Sequence, residues 1–266
     1  MFLPFTKQLP KELTSYDLLK SLALITMIID HLGYYLYPDE SWMRLIGRMS
    51  FPIWMFLVGY ANSRDLSPIL WICALSVAIG GMVFGASIIP LNILFSIIIV
   101  RLVLDYSVGL MFHSSAMVWV IPTLLMIIAL PTNFMSEYGA LGLMVAMIGW
   151  MLRHRQNEPA VRMVLPFFAG ATILTHLVMT FLVFNFTPLE TKLLPFCFLV
   201  TYGLLFLFKP ATYPDLTQKW PDFVVRALQF MGRYSLYIYA IHVIIFMFFA
   251  LWMNPDKFEL FQWSLF

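Results

Sequence analysis

Long apolar segments alternate with short polar connections along the whole chain. A helix needs about 20 mainly apolar residues to cross the hydrocarbon core of a bilayer. By that measure the pattern predicts spanning helices at about 18–37, 43–61, 68–87, 90–109, 116–131, 138–152, 163–185, 193–208 and 226–252. The sequence therefore predicts an all-α, polytopic membrane helix bundle of about nine helices, with eight to ten as the range, in a single domain over 1–266.

Composition supports a membrane protein and excludes several other classes. The 266 residues are 61% hydrophobic and 11% charged, whereas soluble domains carry about 25% charged residues. The net charge of +2 is too small and too dispersed to indicate nucleic-acid binding. Cys73 and Cys197 lie inside apolar runs, so we expect reduced packing residues and neither a disulfide nor a metal site.

Basic residues orient the chain, because cytoplasmic loops of membrane proteins carry an excess of Lys and Arg. With the N-terminus in the cytoplasm, the C-terminal segment with its interfacial Trp263 lies outside. The basic residues then divide into an inner set of Lys7, Lys11, Lys20, Arg64, Arg153, Arg155, Arg162, Lys209, Lys219, Arg226 and Arg233 and an outer set of Arg44, Arg48, Lys192 and Lys257. This asymmetry predicts a cytoplasmic N-terminus.

The stretch LITMIIDHLGYYL places Asp30 and His31 side by side within the first apolar segment. An ionisable group at the centre of a spanning helix costs at least ~2.5–3.5 kcal/mol, so each is a functional hypothesis. Adjacent residues on a helix point about 100° apart, so this pair does not neutralise itself. Lys20 lies on the His31 face about 16 Å away, and Arg44 and Arg48 are possible counter-charges for Asp30.

Other ionisable residues admit simpler interpretations. Arg101 and Asp105 are four residues apart, and we predict an ion pair on one helix face. Glu137 begins a predicted helix, where a carboxylate is favourable to the helix dipole or serves function. His176 follows ATILT in the seventh segment, and a hydrogen bond to a neighbouring helix is as good an explanation as a catalytic role.

Two motif regions carry a resemblance to a known family. LKSLALITMIIDHLG, followed by RLIGRMSFPIWMFLVGY and then Arg64, resembles the TraX family of inner-membrane proteins. NILFSIIIVRLVLDY and EYGALGLMVAMIGWMLR, which begins with Glu137 and Tyr138, are similar to the middle region of that family. The resemblance covers most of the chain.

The chain also resembles a wider group, the membrane-bound acyltransferase-3-like enzymes. Their first helix carries a basic residue, ten further residues and a histidine, which here are Lys20 and His31. Their last shared helix carries the pattern found here in GRYSLYIYAIH. Its Ser235, Tyr239 and His242 share one helix face by their 3–4 spacing.

The resemblance implies acetyl transfer from cytoplasmic acetyl-CoA to a pilin or other protein N-terminal amine outside a bacterial inner membrane, without a metal. An imidazole suits a general base, so we expect His31 to be the base, and Asp30 either to orient the acceptor amine or to pair with Arg48. We expect CoA phosphates at cationic groups, with Arg64 the best candidate. The expected binding residues are Lys20, Arg44, Arg48, Arg64, Glu137, Tyr138, Ser235, Tyr239 and His242.

Alternatives from other classes remain open at this point. The acceptor can instead be a hydroxyl of an envelope glycan or lipid. Buried Asp, His and Arg also make proton relays in transporters, although the sequence shows none of the paired repeats typical of them. A scaffold for envelope assembly is the third interpretation, and it predicts that Asp30 and His31 tolerate apolar replacement.

Overall fold

The computed structural model describes residues 10–253, 260–262 and 264–265. Trp263, Lys7 and Lys257, which the sequence assigns to membrane sides, lie outside the described residues. The helices are α1 (Ser15–Tyr35), α2 (Ser41–Gly47), α3 (Ser50–Tyr60), α4 (Pro68–Val83), α5 (Ile93–Met111), α6 (Met117–Asn133), α7 (Gly139–His154), α8 (Pro159–Val183), α9 (Pro188–Leu207), α10 (Pro214–Lys219), α11 (Asp222–Arg233) and α12 (Ser235–Met253).

The predicted all-α class is confirmed, and each predicted span falls on one or two of these helices. Within the described residues, only β1 (Leu13–Thr14) and β2 (Thr212–Tyr213) form a sheet, and they pair antiparallel. Four of the described helices, α5, α8, α9 and α12, are long and apolar enough to cross a membrane, and α4, α6 and α7 are shorter apolar helices. The count of nine spans stays a prediction.

The predicted span 43–61 is two helices in the structure. The break comes at Arg48 and Met49, between α2 and α3. The α3 helix has 11 residues, about 16 Å at the helical rise, which is well short of a bilayer core of about 30 Å. Arg48, at the break, pairs with the buried carboxylate of Asp30. This part of the chain therefore packs in the interior of the bundle.

The predicted span 226–252 also divides, at Tyr234. The helix before it, α11, is strongly amphipathic: Asp222 and Arg226 form an exposed ion pair, and Arg233 donates to the Pro10 carbonyl and to Asp17. A helix with polar groups on one face cannot be placed wholly in hydrocarbon. The membrane-length segment is α12 alone.

The core of the bundle is α7. Its residues 144–148 have no exposed surface at all, as expected for a helix that is apolar on every side. It packs against α3, α5, α6 and α8. Gly59 of α3 lies against the Ala146 carbonyl so closely that a Cβ would overlap it, and this close approach holds α3 and α7 together.

The start of α1 is fixed by local chemistry. The Thr14 hydroxyl accepts from the Asp17 amide at 3.1 Å, and the Asp17 carboxylate accepts from the Thr14 amide at 3.1 Å, a capping box. Such a pair satisfies two of the free amides at a helix start. The Ser15 amide donates to the Ala211 carbonyl, and Ser21 donates to the Leu228 carbonyl. The α1 helix is thereby anchored at the end opposite to His31.

The outer surface of the bundle is apolar. Leu102, Ile127, Leu199 and Leu207 are 64% to 78% exposed. Apolar patches of this extent on a protein surface mark contact with a membrane or a partner, and helices satisfy their own backbone groups in lipid. The protein is therefore embedded in a lipid bilayer.

Candidate functional site

The first and last long helices meet at two histidines. His31 Nδ1 of α1 lies 2.8 Å from His242 Nε2 of α12, although 211 residues separate them in the chain. The rings are stacked at 5.0 Å between centroids, and Tyr239 lies 5.9 Å from the His31 ring. The two histidine motifs of the sequence thus form one structural unit.

The hydrogen bonds of the two rings determine which nitrogens carry hydrogen. His242 Nδ1 lies 2.7 Å from the carbonyl oxygen of Ile238, and a carbonyl only accepts, so Nδ1 carries the hydrogen. In the neutral pair, His242 Nε2 is then the acceptor, and His31 Nδ1 donates to it. His31 Nε2 is left with a free electron pair, the form that a general base requires.

Asp30 is the centre of a buried ion cluster. Arg48 Nη2 donates to Asp30 Oδ1 at 2.5 Å, and Arg44 Nη1 lies 2.8 Å from Asp30 Oδ2. The Arg44 guanidinium also donates to the Asp30 carbonyl at 3.0 Å. Of the two roles expected for Asp30, the pairing with Arg48 is confirmed.

Close packing of α2 on α1 makes this cluster possible. A Cβ at Gly47 would overlap the Asp30 carboxylate, and a Cβ at Gly33 would lie 2.7 Å from Met43 Cβ. Because both positions are glycine, α2 lies directly against the end of α1. The arginines on either side of this contact, Arg44 and Arg48, then reach a single carboxylate.

Tyr138 is the second support of Arg48. Its hydroxyl accepts from Arg48 Nη1 at 2.8 Å, and its ring stacks on Phe51 at 3.6 Å. The backbone has φ of 64°, a left-handed conformation that costs a residue with a side chain roughly 1–2 kcal/mol. Strain of this kind persists where the surroundings enforce it, often at functional sites. The Arg48 guanidinium also lies 4.3 Å from the Phe184 ring.

Glu137 lies in the connection between α6 and α7 and faces the start of α5. Its carboxylate accepts from the Ile93 amide, so the dipole it complements is that of α5 and not that of α7 as predicted. Burial raises the pKa of this carboxyl to about 7, and the nearby Asp30 carboxylate adds to the rise. Glu137 therefore changes charge near neutral pH.

These groups share a cavity of about 620 Å³, here called the histidine cavity. Of the residues expected from the sequence to bind or react, it brings together Asp30, His31, Arg44, Arg48, Glu137, Tyr138 and Tyr239. His242 does not line it, and contacts His31 from outside the lining. The histidine cavity therefore combines the His31 imidazole with two arginines and two carboxyl groups.

A second cavity of about 300 Å³, here called the lysine cavity, lies on the other side of Tyr239. It contains Lys20 and Ser235, as expected of binding residues, together with Arg101 and Trp54. The two cavities share the wall residues Met27, Ile93 and Tyr239. Tyr239 therefore separates the Lys20 end of the first motif from its His31 end.

The lysine cavity is lined by two cations whose carboxylate neighbours, Asp17 and Asp65, lie outside the lining. Its lining contains Lys20 and Arg101 and no carboxylate. Arg101 Nε and Trp54 Nε1 are buried, and neither has a hydrogen-bond partner within the described part of the protein. Unpartnered buried donors are uncommon in native proteins and call for an explanation. A bound anion would satisfy both the charge and the donors.

The predicted ion pair of Arg101 with Asp105 is wrong. Asp105 pairs instead with Arg64, at 3.1 Å, and Arg101 donates to the Asp65 carbonyl. Residues four apart share a face, but a partner from the loop before α4 reaches Asp105 instead. Arg64 also donates to the carbonyl oxygens of Val58 and Ala61, and it lines neither of the two cavities.

Sequence reasoning missed three residues of the site. The helical spacing of Arg101 predicts an ion pair, Trp54 has no polar neighbour in the sequence, and Gly47 lies between Ile46 and Arg48 in RLIGR. The one available signal was that Gly47 follows Gly33, and small residues mark close helix contacts in membranes. No group of three or more potential metal ligands is present in the described residues.

A protein-family model and two known proteins match this chain. A protein-family model described as "TraX protein" matches residues 15–250. An uncharacterised protein of Rickettsia prowazekii (strain Madrid E) is 27% identical over 241 residues, 88% of this chain and 92% of that protein. "Protein TraX" of Escherichia coli (strain K12) is 42% identical over a 48-residue segment, 18% of this chain and 19% of that protein. No solved structure gives a significant match.

Proposed function

The chain belongs to the TraX family, and on that premise we propose that it is a membrane-bound acetyltransferase. Its donor is acetyl-CoA from the cytoplasm, and its acceptor is a protein N-terminal amine at the other side of a bacterial inner membrane. A pilin in a conjugation system is the acceptor that the family resemblance implies. O-acetylation of an envelope glycan or lipid is the alternative within the same chemistry.

The observation that carries the proposal is the proton order of the histidine pair. His242 holds the Nδ1 hydrogen of His31, which leaves Nε2 of His31 as a base within the histidine cavity. The Asp30 cluster is engaged with its own arginines, so it stabilises the position of α2 against α1 without taking the proton. The base, His31, is thus separate from the ion cluster of Asp30 that holds α2 against α1.

The lysine cavity supports the choice of donor. Acetyl-CoA carries phosphates, and phosphates are bound by cations and free N–H donors. Lys20, Arg101 and Trp54 offer these groups in a cavity without a carboxylate. The acetyl thioester would then extend past Tyr239 towards His31. Arg64 as the phosphate ligand stays a second prediction.

The transfer step balances with these residues. The acceptor nitrogen attacks the thioester carbonyl carbon, forming the C–N bond while the C–S bond breaks. His31 Nε2 takes the proton of the amine, and the same proton then protonates the departing thiolate. General-base catalysis of this kind is typically worth 10²–10⁴-fold in rate. The products are the acetylated amine and free CoA.

The test uses the full-length protein purified in detergent. Free thiol is measured after addition of acetyl-CoA, with and without a short peptide that has a free N-terminus. Wild type should release thiol in the presence of the peptide, and His31→Ala should lower the rate by about 10²-fold or more while retaining its elution volume and unfolding temperature.

A matched control is His113→Ala, because His113 is exposed and lies in the turn after α5. That variant should keep wild-type activity. Full activity in His31→Ala would overturn the mechanism. Proton-coupled uptake by the protein in vesicles, with no thiol release from acetyl-CoA, would instead favour a transporter.

A further inference from the structure

His176 is a second histidine of the histidine cavity that the transfer step does not use. It belongs to α8, is 1% exposed and lines the cavity. Its ring stacks on Phe198 at 4.2 Å and meets the edge of Phe51 at 5.1 Å. The predicted interhelical hydrogen bond is present, since Nδ1 lies 3.1 Å from the Tyr202 hydroxyl of α9.

The Tyr202 hydroxyl fixes the proton of this ring. Tyr202 is 2% exposed, and His176 Nδ1 is the only hydrogen-bond partner of its hydroxyl among the described residues. A buried hydroxyl hydrogen finds an acceptor where one is in reach, so Tyr202 donates and Nδ1 accepts. His176 is then the neutral tautomer that carries its hydrogen on Nε2.

This Nε2–H donor is unsatisfied. The atom is buried and has no hydrogen-bond partner in the part of the chain that the structure describes. The ring of His176 lines the cavity, and because Nδ1 is turned to Tyr202, Nε2 is the ring nitrogen left to bind an occupant. A buried donor without a partner costs free energy that an occupant of the cavity would recover.

His176 and His31 are connected by a series of contacts along the wall of the histidine cavity. Phe51 contacts His176 and stacks on Tyr138, Tyr138 accepts from Arg48, and Arg48 pairs with Asp30 beside His31. A molecule held by His176 therefore occupies the same cavity as the base. This contact has a different role from that of the base, because it donates a proton in a hydrogen bond and accepts none.

Resting on the proposed acetyl transfer, we propose that His176 Nε2–H binds a carbonyl oxygen of the acceptor and selects peptides with a free N-terminus. A carbonyl oxygen needs only a donor, and Nε2–H is a donor only. A sugar hydroxyl both donates and accepts, and the rings of Phe51 and Phe198 around His176 offer it no acceptor. His176 is in this sense a positioning residue for the acceptor, oriented by Tyr202.

The test compares two synthetic acceptors that differ in one group. The first is trialanine amide, and the second is its analogue in which the first peptide bond is replaced by a trans carbon–carbon double bond, which lacks the carbonyl oxygen and adds no second basic amine. In wild type the analogue should have the higher KM. His176→Phe keeps the ring but loses the donor, and it should raise the KM for trialanine amide about tenfold, the loss expected for one hydrogen bond. The KM for the analogue and for acetyl-CoA should not change.

Tyr202→Phe is the second variant. It removes the hydroxyl that sets the tautomer while leaving the His176 ring in place, and it should give a smaller rise in the same KM. His113→Phe is the control. If His176→Phe does not fold, the Tyr202→Phe result decides, and an unchanged KM there overturns the inference.

The outcomes separate the two proposals. If wild type transfers acetyl to neither amine nor hydroxyl, the proposed function fails. If wild type transfers acetyl, the comparison of KM values decides. A His176→Phe variant that raises the KM for both acceptors equally, or for neither, overturns the inference about His176 while acetyl transfer stands. Wild-type preference for the hydroxyl of a methyl glycoside over trialanine amide also overturns it.

Discussion

The histidine cavity and the lysine cavity share a wall but treat charge in opposite ways. In the first, Arg44 and Arg48 face Asp30, and Glu137 supplies a further carboxyl group. In the second, Lys20 and Arg101 face no carboxylate of the lining. The first has counter-charges in its own lining, whereas the lining of the second supplies none.

This difference separates two ways of handling charge away from water. A buried charge is stable only if it is paired and hydrogen-bonded. The histidine cavity satisfies this rule without a ligand, so its arginines are held in place before any substrate arrives. The lining of the lysine cavity supplies no such partner, and an anion that enters would add one. Under the proposed function, the first cavity is organised for chemistry and the second for binding.

The largest expected effect comes from removing the carboxylate that pairs with the two arginines of the histidine cavity. Asp30→Asn leaves two arginines without their carboxylate, and removal of one partner from a buried ion pair costs about 3–5 kcal/mol. We expect a marked fall in the unfolding temperature in detergent and loss of acetyl transfer. Asp105→Asn is the matched control, because the Asp105 side chain is 61% exposed in its pair with Arg64, and exposed pairs contribute about 1 kcal/mol or less. Equal effects of the two variants would contradict the comparison.

The next variant tests the lysine cavity. Arg101→Met removes a cation with an unpartnered Nε donor, but it also removes the hydrogen bond to the Asp65 carbonyl, so the unfolding temperature should change little. The KM for acetyl-CoA should rise roughly 10–150-fold, the range for a lost hydrogen bond to a charged group.

Arg64→Met is the comparison for that variant. It should lower stability through loss of the contact with Asp105 and change the KM for acetyl-CoA little. The reverse result, with Arg64→Met raising the KM and Arg101→Met leaving it unchanged, would move the phosphates out of the lysine cavity.

A third variant sharpens the comparison through pH. The pKa of Glu137 is about 7 in the folded protein, above its ordinary value of 4.5. The folded state therefore binds more protons than the unfolded state between these values, and stability falls as pH rises from about 4.5 to 7. Glu137→Gln mimics the protonated form and should be more stable than wild type at pH 8, on the order of 1–3 kcal/mol, and equal to it at pH 4.5. Parallel pH profiles of unfolding temperature would contradict this assignment.

The smallest expected effect concerns the edge of the ion cluster. Tyr138→Phe keeps the stack on Phe51 but removes the acceptor of Arg48 Nη1, and the loss should be about 1 kcal/mol. Tyr34→Phe is the control, because Tyr34 is 53% exposed and its ring still faces Arg44. Unfolding curves of the two variants are the measurement, and a stable Tyr138→Phe would show that Arg48 finds another acceptor.

Much of the fold was predictable from the sequence because apolar run length is a local property. The pairing of Asp30 with Arg48 was also predictable, since a short connection joins their two helices and few other charges are available. The two histidine motifs were recognisable from a family resemblance, although the contact between His31 and His242 was not predicted. Each of these depends on residue types near one another in sequence or in a shared pattern.

The other features of the fold and the site depend on packing between segments that are far apart in the sequence. The partner of Asp105 comes from Arg64, 41 residues earlier, and the helical spacing of Arg101 gives no sign of it. The division at Tyr234 required attention to the amphipathic period of α11 and not only to the apolar run after it. The cavities themselves are spaces between helices, so Trp54 and His176 gained their roles only in the assembled bundle.

The span of 211 residues between His31 and His242 also orders events during synthesis. The base is made early, in α1, but the atom that directs its proton arrives only with α12. A chain whose last helix has not yet entered the membrane has no fixed partner for His31 Nδ1, and its base is not yet oriented. Under the proposed function, entry of the last helix is therefore the step that orients the base.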